Sequence, residues 1–142
     1  MSTPVLRMDN VTVSLPRRGR MVPVLEELTL SIGAGEMLAL VGETGSGKTM
    51  AALSIPRLLP PGASLSGSIL LNDQELTALP EDRLRSMRGR DVGVVFQDPA
   101  ASLNPSMSVG AQIAETIRLH AGGTTRAAHQ AAVARLEEVG IP

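Results

Sequence analysis

The sequence has 142 residues, a net charge of −1 and no cysteine, which fits one domain with a core and excludes disulfides, thiolate metal sites and a cysteine nucleophile. A charge so near zero gives no bulk attraction for nucleic acid or an anionic membrane, so we expect no nucleic-acid partner. The longest apolar runs have about five residues, far below the ~20 that span a bilayer, and the chain opens without a signal-peptide pattern, so we expect a soluble cytoplasmic protein.

The first part of the chain predicts an antiparallel β layer. Residues 5–15 are extended with alternating polarity, a turn follows at 16–20, and extended pieces at 21–25 and 28–32 lead to a second turn at 33–36. Three arginines of the first turn form either a solvated hairpin tip or a contact with a nucleotide or partner: Arg17, Arg18 and Arg20.

The stretch after this layer fits the pattern G-x-x-x-x-G-K-[ST] at every fixed position. An apolar run at 37–41 precedes it, as a strand buried in a parallel sheet would, and a helix-forming segment at 48–53 follows. The strand, glycine turn and helix together predict a phosphate-binding P-loop. Its residues are Gly42, Glu43, Thr44, Gly45, Ser46, Gly47, Lys48 and Thr49.

The residue types of this loop suit a triphosphate. Glycines let the backbone approach the phosphate oxygens and turn its N–H groups toward them, and the start of the helix adds a positive dipole end. Lys48 brings a compact ammonium to the β and γ phosphates, and the Thr49 hydroxyl is a ligand for Mg²⁺. Lys48 is the only lysine among the 13 basic residues, so the chain has an ammonium where this chemistry favours one.

Short strands and helices follow. A strand is predicted at 68–71, and Pro80 opens a short helix that Gly89 ends. A second buried strand at 92–96 delivers Gln97 to the sheet edge where ligands of α/β proteins gather. Gln97 there is either the cap of a turn or a ligand of a nucleotide or metal.

The last third predicts two helices separated by the Gly122-Gly123 turn, with Thr124 or Thr125 as the cap of the second. His120 and His129 lack acidic or cysteine companions at ligand spacing, so we interpret them as solvated helix positions. The apolar stripes of the two helices are Val109, Ile113 and Ile117, and Ala128, Ala132, Leu136 and Val139.

Taken together, the β layer, the 33–36 turn, the P-loop and the segment FQDPAASLNP at 96–105 resemble the ATP-binding subunit of an ABC transporter. That segment, continuing as VGAQIAE at 109–115, is similar to the oligopeptide, dipeptide and nickel importer branch. The resemblance covers nearly the whole chain. It implies an incomplete α/β fold. This fold would consist of a RecA-like P-loop NTPase core, an antiparallel β layer and the start of a helical subdomain. The expected parts are 1–36 for the β layer, 37–102 for the P-loop core with its Q-loop, and 103–142 for the helical subdomain.

The resemblance also implies a function. ATP would be the ligand, Mg²⁺ would be held by Thr49 and Gln97, and Lys48 and Gln97 would be the catalytic residues, with Gln97 on a loop that senses the γ-phosphate and meets the permease. The implied partners are a second ATP-binding subunit, identical or different, the membrane permease subunits and, indirectly, an extracytoplasmic solute-binding protein. The chain would lie on the inner face of the cytoplasmic membrane and energise import of peptides or related small solutes.

Two features depart from the family. Leu15 stands where members usually place an aromatic side chain against adenine, so we expect weaker or less base-selective ATP binding. The sequence also stops at Pro142, ahead of the LSGGQ-type signature, the strand with the catalytic Glu and the switch His. We therefore expect a phosphate cradle without a general base, and a chain that is marginally stable or poorly soluble by itself.

Three interpretations stay open. The first is the importer ATPase subunit, which segment 96–115 favours. The second is a non-transport ABC ATPase acting on ribosomes or DNA, which we expect to lack the SLNP of residues 102–105 and to need no permease. The third is a truncated nucleotide-binding module without turnover, which ATP binding without hydrolysis would distinguish from the other two.

Overall fold

A computed structural model describes residues 4–98 and 102–141 of the chain, which divides into two compact units, Met1–Arg85 and Ser86–Pro142. The described residues contain both helices and strands, as the predicted α/β class requires. In chain order the elements are β1 (Leu6–Arg17), β2 (Arg20–Ile32), α1 (Lys48–Ser54), β3 (Ser64–Leu71), β4 (Gln74–Glu75), α2 (Glu81–Met87), α3 (Val109–Ala121) and α4 (Thr125–Glu138). No helix among these residues is long and apolar enough to cross a membrane.

The first unit is built on one antiparallel sheet with the strand order β2-β1-β3-β4, which confirms the predicted β layer. β1 lies inside the sheet and pairs with β2 on one side and β3 on the other. Met8, Val11 and Val13 of β1 and Ile69 of β3 are fully buried, so the core of this unit lies on these two strands.

The extended pieces predicted at 21–25 and 28–32 form one strand, β2. The polar interruption between them is a bulge, because Glu27 has a φ of 49° and donates its backbone N–H to the Thr12 hydroxyl at 3.0 Å. The register with β1 shifts at this point. The bulged residue keeps a hydrogen-bond partner outside the ladder, so the strand continues without leaving this N–H unsatisfied.

The buried strands predicted at 37–41 and 92–96 are corrected by the structure, because neither range forms a strand apart from one isolated bridge at Val92. The apolar side chains of 37–41 are exposed, with Met37 94% accessible; in the second range Val95 is 95% accessible and Phe96 is exposed, whereas Val92 and Val94 are half-buried. A strand of a parallel sheet needs neighbours that pair with its N–H and C=O groups. Within residues 4–98 and 102–141, no strand pairs with either range. The apolar pattern is therefore not sufficient to form a strand without a neighbour that pairs with it.

A small hairpin closes the sheet at β3 and β4, and the Glu75 carboxylate organises it. This carboxylate accepts hydrogen bonds from the Ser68 hydroxyl, from the Ile69 backbone N–H at 3.1 Å, and from the Thr77 backbone and hydroxyl at 3.0 and 2.7 Å. Burial opposes ionisation of Glu75, but these four hydrogen bonds outweigh it and lower its pKa to about 2. The chain reversal after β3 is therefore fixed by one ionised side chain.

Two helices, α3 and α4, form the core of the second unit. Ala114 of α3 and Ala128 and Ala132 of α4 are buried together, and Ile113 and Ile117 pack against them. Four of these residues belong to the two predicted apolar stripes, whereas Ala114 was not among the predicted positions, and Val109 and Val139 of those stripes are exposed. Because alanine side chains are short, they allow the two helices to approach closely.

Both helices begin at a hydroxyl cap. The Ser108 hydroxyl accepts the Ala111 N–H at 3.2 Å, and the Thr124 hydroxyl accepts the Ala127 N–H at the same distance. Of the two threonines predicted as the cap of α4, Thr124 is therefore the one used. His120 and His129 are exposed on these helices, as the sequence predicts.

Candidate functional site

The loop of residues 42–47 is held at both ends by local hydrogen bonds. Before it, the Glu36 carboxylate accepts the Gly33 N–H at 2.6 Å and closes the 33–36 turn after β2. After it, the Ala51 N–H donates to the Gly47 carbonyl at 2.8 Å, which is the first turn of α1. The predicted turn and the predicted helix are thus both present, and the loop lies between them.

At two glycines of the loop a side chain would be in close contact with neighbouring atoms. Gly47 has a φ of 89°, and a Cβ on it would lie 2.5 Å from the Val24 carbonyl oxygen of β2. A Cβ on Gly42 would lie 2.8 Å from the Ser46 hydroxyl. The loop therefore presents backbone where side chains would otherwise stand, which is the form of cradle that a phosphate group requires.

Lys48 turns its ammonium back into the loop. Its Nζ donates to the carbonyl oxygens of Gly42 at 2.7 Å and Glu43 at 2.6 Å, and to the Ser46 hydroxyl at 3.2 Å. An ammonium has three donors and no acceptor, so these contacts use its hydrogen-bonding capacity. The glycine loop consequently folds around a positive charge, which suits it to an oxyanion.

The first turn of α1 adds an unpaired hydroxyl beside this charge. Gly47 provides no side-chain cap and the first turn has no acidic residue, so the backbone N–H groups there keep their partial positive charge. Thr49 is exposed, and its hydroxyl forms no hydrogen bond within the described residues. This hydroxyl is therefore available as an oxygen ligand for a metal.

A groove of about 730 Å³ adjoins the loop within the first unit. It is lined by Gly45 and Ser46 of the loop and by residues of the β1–β2 hairpin. Arg17 lines this groove, whereas Leu15, the residue predicted at the nucleobase, does not. Sequence reasoning left the role of Arg17 open; the usable signal was its position two residues after Leu15, on the same face of β1.

Gln97 belongs to the second unit and is exposed. Lys48 and Thr49 belong to the first unit, which contains all eight loop residues. In the segment at 96–105, residues 99–101 lie outside the described part of the chain. Among the residues described, no group of three or more His, Asp or Glu is placed to hold a metal ion.

A residue that sequence reasoning did not single out orders the rest of that segment. The Gln112 amide of α3 accepts the Asn104 N–H at 2.9 Å and donates to the Asn104 and Met107 carbonyl oxygens at 3.1 Å each. Gln112 thus fixes residues 104–107 against the start of α3. Gln112 lies within the VGAQIAE sequence on which the resemblance to the importer branch rests, and this position was the signal that could have singled it out.

The model of the family described as ABC transporter matches residues 25–141. A Brucella abortus (strain 2308) protein, provisionally named a peptide import ATP-binding protein, is 40% identical over 146 positions that cover 98% of this chain and 43% of that protein. The oligopeptide transport ATP-binding protein OppD of Bacillus subtilis (strain 168) is 39% identical over 142 positions, covering 99% of this chain and 40% of that protein. The chain thus spans less than half the length of these curated relatives.

Two solved structures share the fold. The dimeric structure of MJ0796, a bacterial ABC transporter cassette, superposes with a TM-score of 0.78 at 22% identity over 93% of this chain and 56% of that chain. A dimeric post-hydrolysis state of MJ0796 bound to ADP and Pi gives 0.75 at 21% identity, with the same coverage. The fold of this chain is therefore that of part of an ATP-binding cassette.

Proposed function

Because the chain belongs to the ABC transporter family, we propose that it forms the nucleotide-binding part of a subunit that energises import of peptides or related small solutes across the cytoplasmic membrane. The substrate class is supported by the names of the two relatives, one for peptide import and one for oligopeptide transport. We extend this to the parts of the chain, with residues 1–36 as the β layer, 37–102 as the P-loop core and 103–142 as the start of the helical subdomain.

The observation that carries the proposal is the Lys48 ammonium inside a glycine-rich loop that has close contacts at Gly42 and Gly47. The loop backbone and Lys48 would bind and orient the β and γ phosphates of ATP, because an ammonium can exchange its bonds to loop carbonyls for stronger ones to phosphate oxygens. Thr49 and Gln97 would hold Mg²⁺ through their side-chain oxygens. When bound, Mg²⁺ neutralises charge on the phosphoryl group that is transferred.

The partners in this proposal come from the family and from the solved structures. Both MJ0796 structures are dimeric, which supports a second ATP-binding subunit as a partner of this chain. The importer names of the relatives support membrane permease subunits as further partners and a solute-binding protein as an indirect one. The chain would then work on the inner face of the cytoplasmic membrane, with Gln97 on the loop that meets the permease.

Replacing Lys48 tests the proposal. Lys48→Ala should reduce Mg-ATP binding by about a hundredfold or more, because it removes charge-assisted hydrogen bonds worth about 1.5–3 kcal/mol each. Binding is measured by isothermal titration calorimetry, with circular dichroism as the check of folding. Arg126→Ala is the matched control, since it removes one positive charge from an exposed position on α4. Unchanged affinity in Lys48→Ala would refute the assignment of the loop.

Phosphate release separates the alternatives. The importer subunit and the non-transport ABC ATPase both turn ATP over, whereas a nucleotide-binding module without turnover releases no phosphate at saturating ATP. Dependence of phosphate release on added permease would favour the importer, because a non-transport ATPase needs none. The wild-type chain and Lys48→Ala are compared in the same assay, so that the signal from contaminating ATPases can be subtracted.

A further inference from the structure

The groove beside the phosphate loop has the size of a small-molecule site. Its volume is about 730 Å³, and such sites usually have ~300–1,000 Å³. The loop contributes Gly45 and Ser46, β2 contributes Val22, Leu25 and Glu26, and the end of β1 contributes Arg17. A nucleotide whose phosphates lie in the loop would have its nucleoside end next to these side chains.

Backbone contact fixes the position of the groove relative to the loop. Gly47 lies so close to β2 that a Cβ there would be 2.5 Å from the Val24 carbonyl oxygen and 3.2 Å from the Leu25 side chain. Backbone atoms of a paired strand cannot move aside as a flexible side chain can. The distance between loop and hairpin is therefore set by the fold, and the groove is preformed.

The groove contains no aromatic ring. Phe96 is the only aromatic residue of the chain, and it belongs to the second unit. Val22 and Leu25 offer only aliphatic surface to a base. Arg17 offers a planar guanidinium, a group that stacks on the faces of nucleobases. Its side chain forms no hydrogen bond or ion pair with any residue in 4–98 or 102–141, so no existing contact has to break.

Arg17 lines the groove and Leu15 does not, although the strand register pairs Leu15 with Val22, which is itself a lining residue. Leu15 is half-buried, while Arg17 is exposed and pairs with Arg20 beside the turn of the hairpin. Side chains two residues apart lie on the same face of a strand. A long, exposed side chain at the second position can therefore reach the groove that the shorter, half-buried leucine does not line.

We propose that Arg17 is the base-binding residue of the nucleotide site, holding the base by stacking its guanidinium on the ring. The inference rests on the proposed function, since the loop must bind the triphosphate before the nucleoside can lie in the groove. Stacking uses the ring face, which all bases have, and reads none of the groups at the ring edge. We therefore expect Mg-ATP and Mg-GTP to bind with similar affinity.

The test compares a nucleotide with its phosphate part. Calorimetric titrations of the chain use Mg-ATP, Mg-GTP and inorganic tripolyphosphate. Arg17→Ala should weaken both nucleotides by about tenfold, in keeping with measured losses of base stacking, and leave tripolyphosphate unchanged. Arg17→Lys should behave like Arg17→Ala, because an ammonium keeps the charge but has no plane to stack. Arg18→Ala, in the same turn but outside the groove, is the control and should bind all three ligands as the wild type does.

The outcomes separate this inference from the proposed function. Equal losses for ATP and tripolyphosphate, or full affinity in Arg17→Lys, would mean that Arg17 acts through its charge and would overturn the stacking assignment. Normal ATP affinity in Arg17→Ala, or strong preference of the wild type for ATP over GTP, would overturn it as well. In each case the wild type still binds ATP and the proposed function stands. A wild type that binds neither ATP nor tripolyphosphate overturns both.

Discussion

At the residue scale, the Glu75 carboxylate is the clearest case of an ionised group built into the fold. Its four hydrogen bonds all come from donors that favour the charged form, and its pKa lies at about 2 compared with an ordinary 4.5. A carboxyl whose pKa is lower in the folded state stabilises that state above its unfolded pKa. This contribution is complete above about pH 4.5 and is lost as the pH falls toward 2.

Glu75→Gln should lower the free energy of unfolding by about 1–3 kcal/mol at pH 6, because the charge-assisted hydrogen bonds are lost. The difference between the wild type and Glu75→Gln should shrink as the pH falls from 4.5 toward 2, and urea unfolding at several pH values measures it. Glu26→Gln serves as the control, since Glu26 is exposed and has no side-chain hydrogen bond among the described residues. A difference that is the same at every pH would contradict this account of Glu75.

Arg17 is the other residue whose role depends on its surroundings. Three arginines lie in or beside the same turn, and the sequence analysis leaves the same two roles open for all of them. Only Arg17 lines the groove next to the phosphate loop. Its proposed role therefore comes from its place on β1 and from the lack of an aromatic ring in that groove, and not from its residue type alone.

At the scale of elements, the site depends on how the phosphate loop rests on β2. Gly45 and Gly47 both have a φ of 89°, a conformation that L side chains rarely adopt. A Cβ on Gly45 would meet nothing within 4 Å, whereas a Cβ on Gly47 would meet the backbone of β2. A substitution at Gly45 thus measures the energetic cost of the backbone conformation alone. A substitution at Gly47 measures that cost together with the cost of the contact between loop and strand.

Gly47→Ala should destabilise the chain by about 1–3 kcal/mol more than Gly45→Ala, the usual cost of forcing extra atoms into a packed contact. Both variants share the penalty for a Cβ at positive φ, so the difference measures the loop–strand contact alone. Urea unfolding gives the stability of each variant, and titration with tripolyphosphate shows whether the loop keeps its shape. Equal stability of the two variants would show that the loop does not rest on β2.

At the scale of the whole molecule, the exposed apolar segments dominate the expected behaviour. Met37 and Val41 precede the phosphate loop with more than nine-tenths of their surface accessible, and Val95 is equally exposed. Extended apolar segments with unpaired backbone groups are templates for pairing with another chain. Within residues 4–98 and 102–141, no strand pairs with these segments.

The 142-residue chain should therefore self-associate at micromolar concentration, which sedimentation velocity detects. The double variant Met37→Ser, Val41→Ser should shift the distribution toward monomer. Leu119→Ser is the control, because Leu119 is a single exposed leucine on α3 and such isolated residues are common on protein surfaces. A monodisperse wild-type monomer with a sharp melting transition would contradict the prediction.

The sequence by itself determined the features that depend on neighbouring residues. The glycine turn before α1, the helices α1, α3 and α4, the threonine cap of α4 and the family all follow from short patterns, because helical hydrogen bonds and loop conformations link residues close in the chain. The tertiary structure decided the features that depend on which strands lie side by side. These include the continuous β2 with its bulge at Glu27, the exposed state of residues 37–41, and the presence of Arg17 and not Leu15 in the lining of the groove. Strand pairing and register join residues far apart in sequence, so no local pattern specifies them.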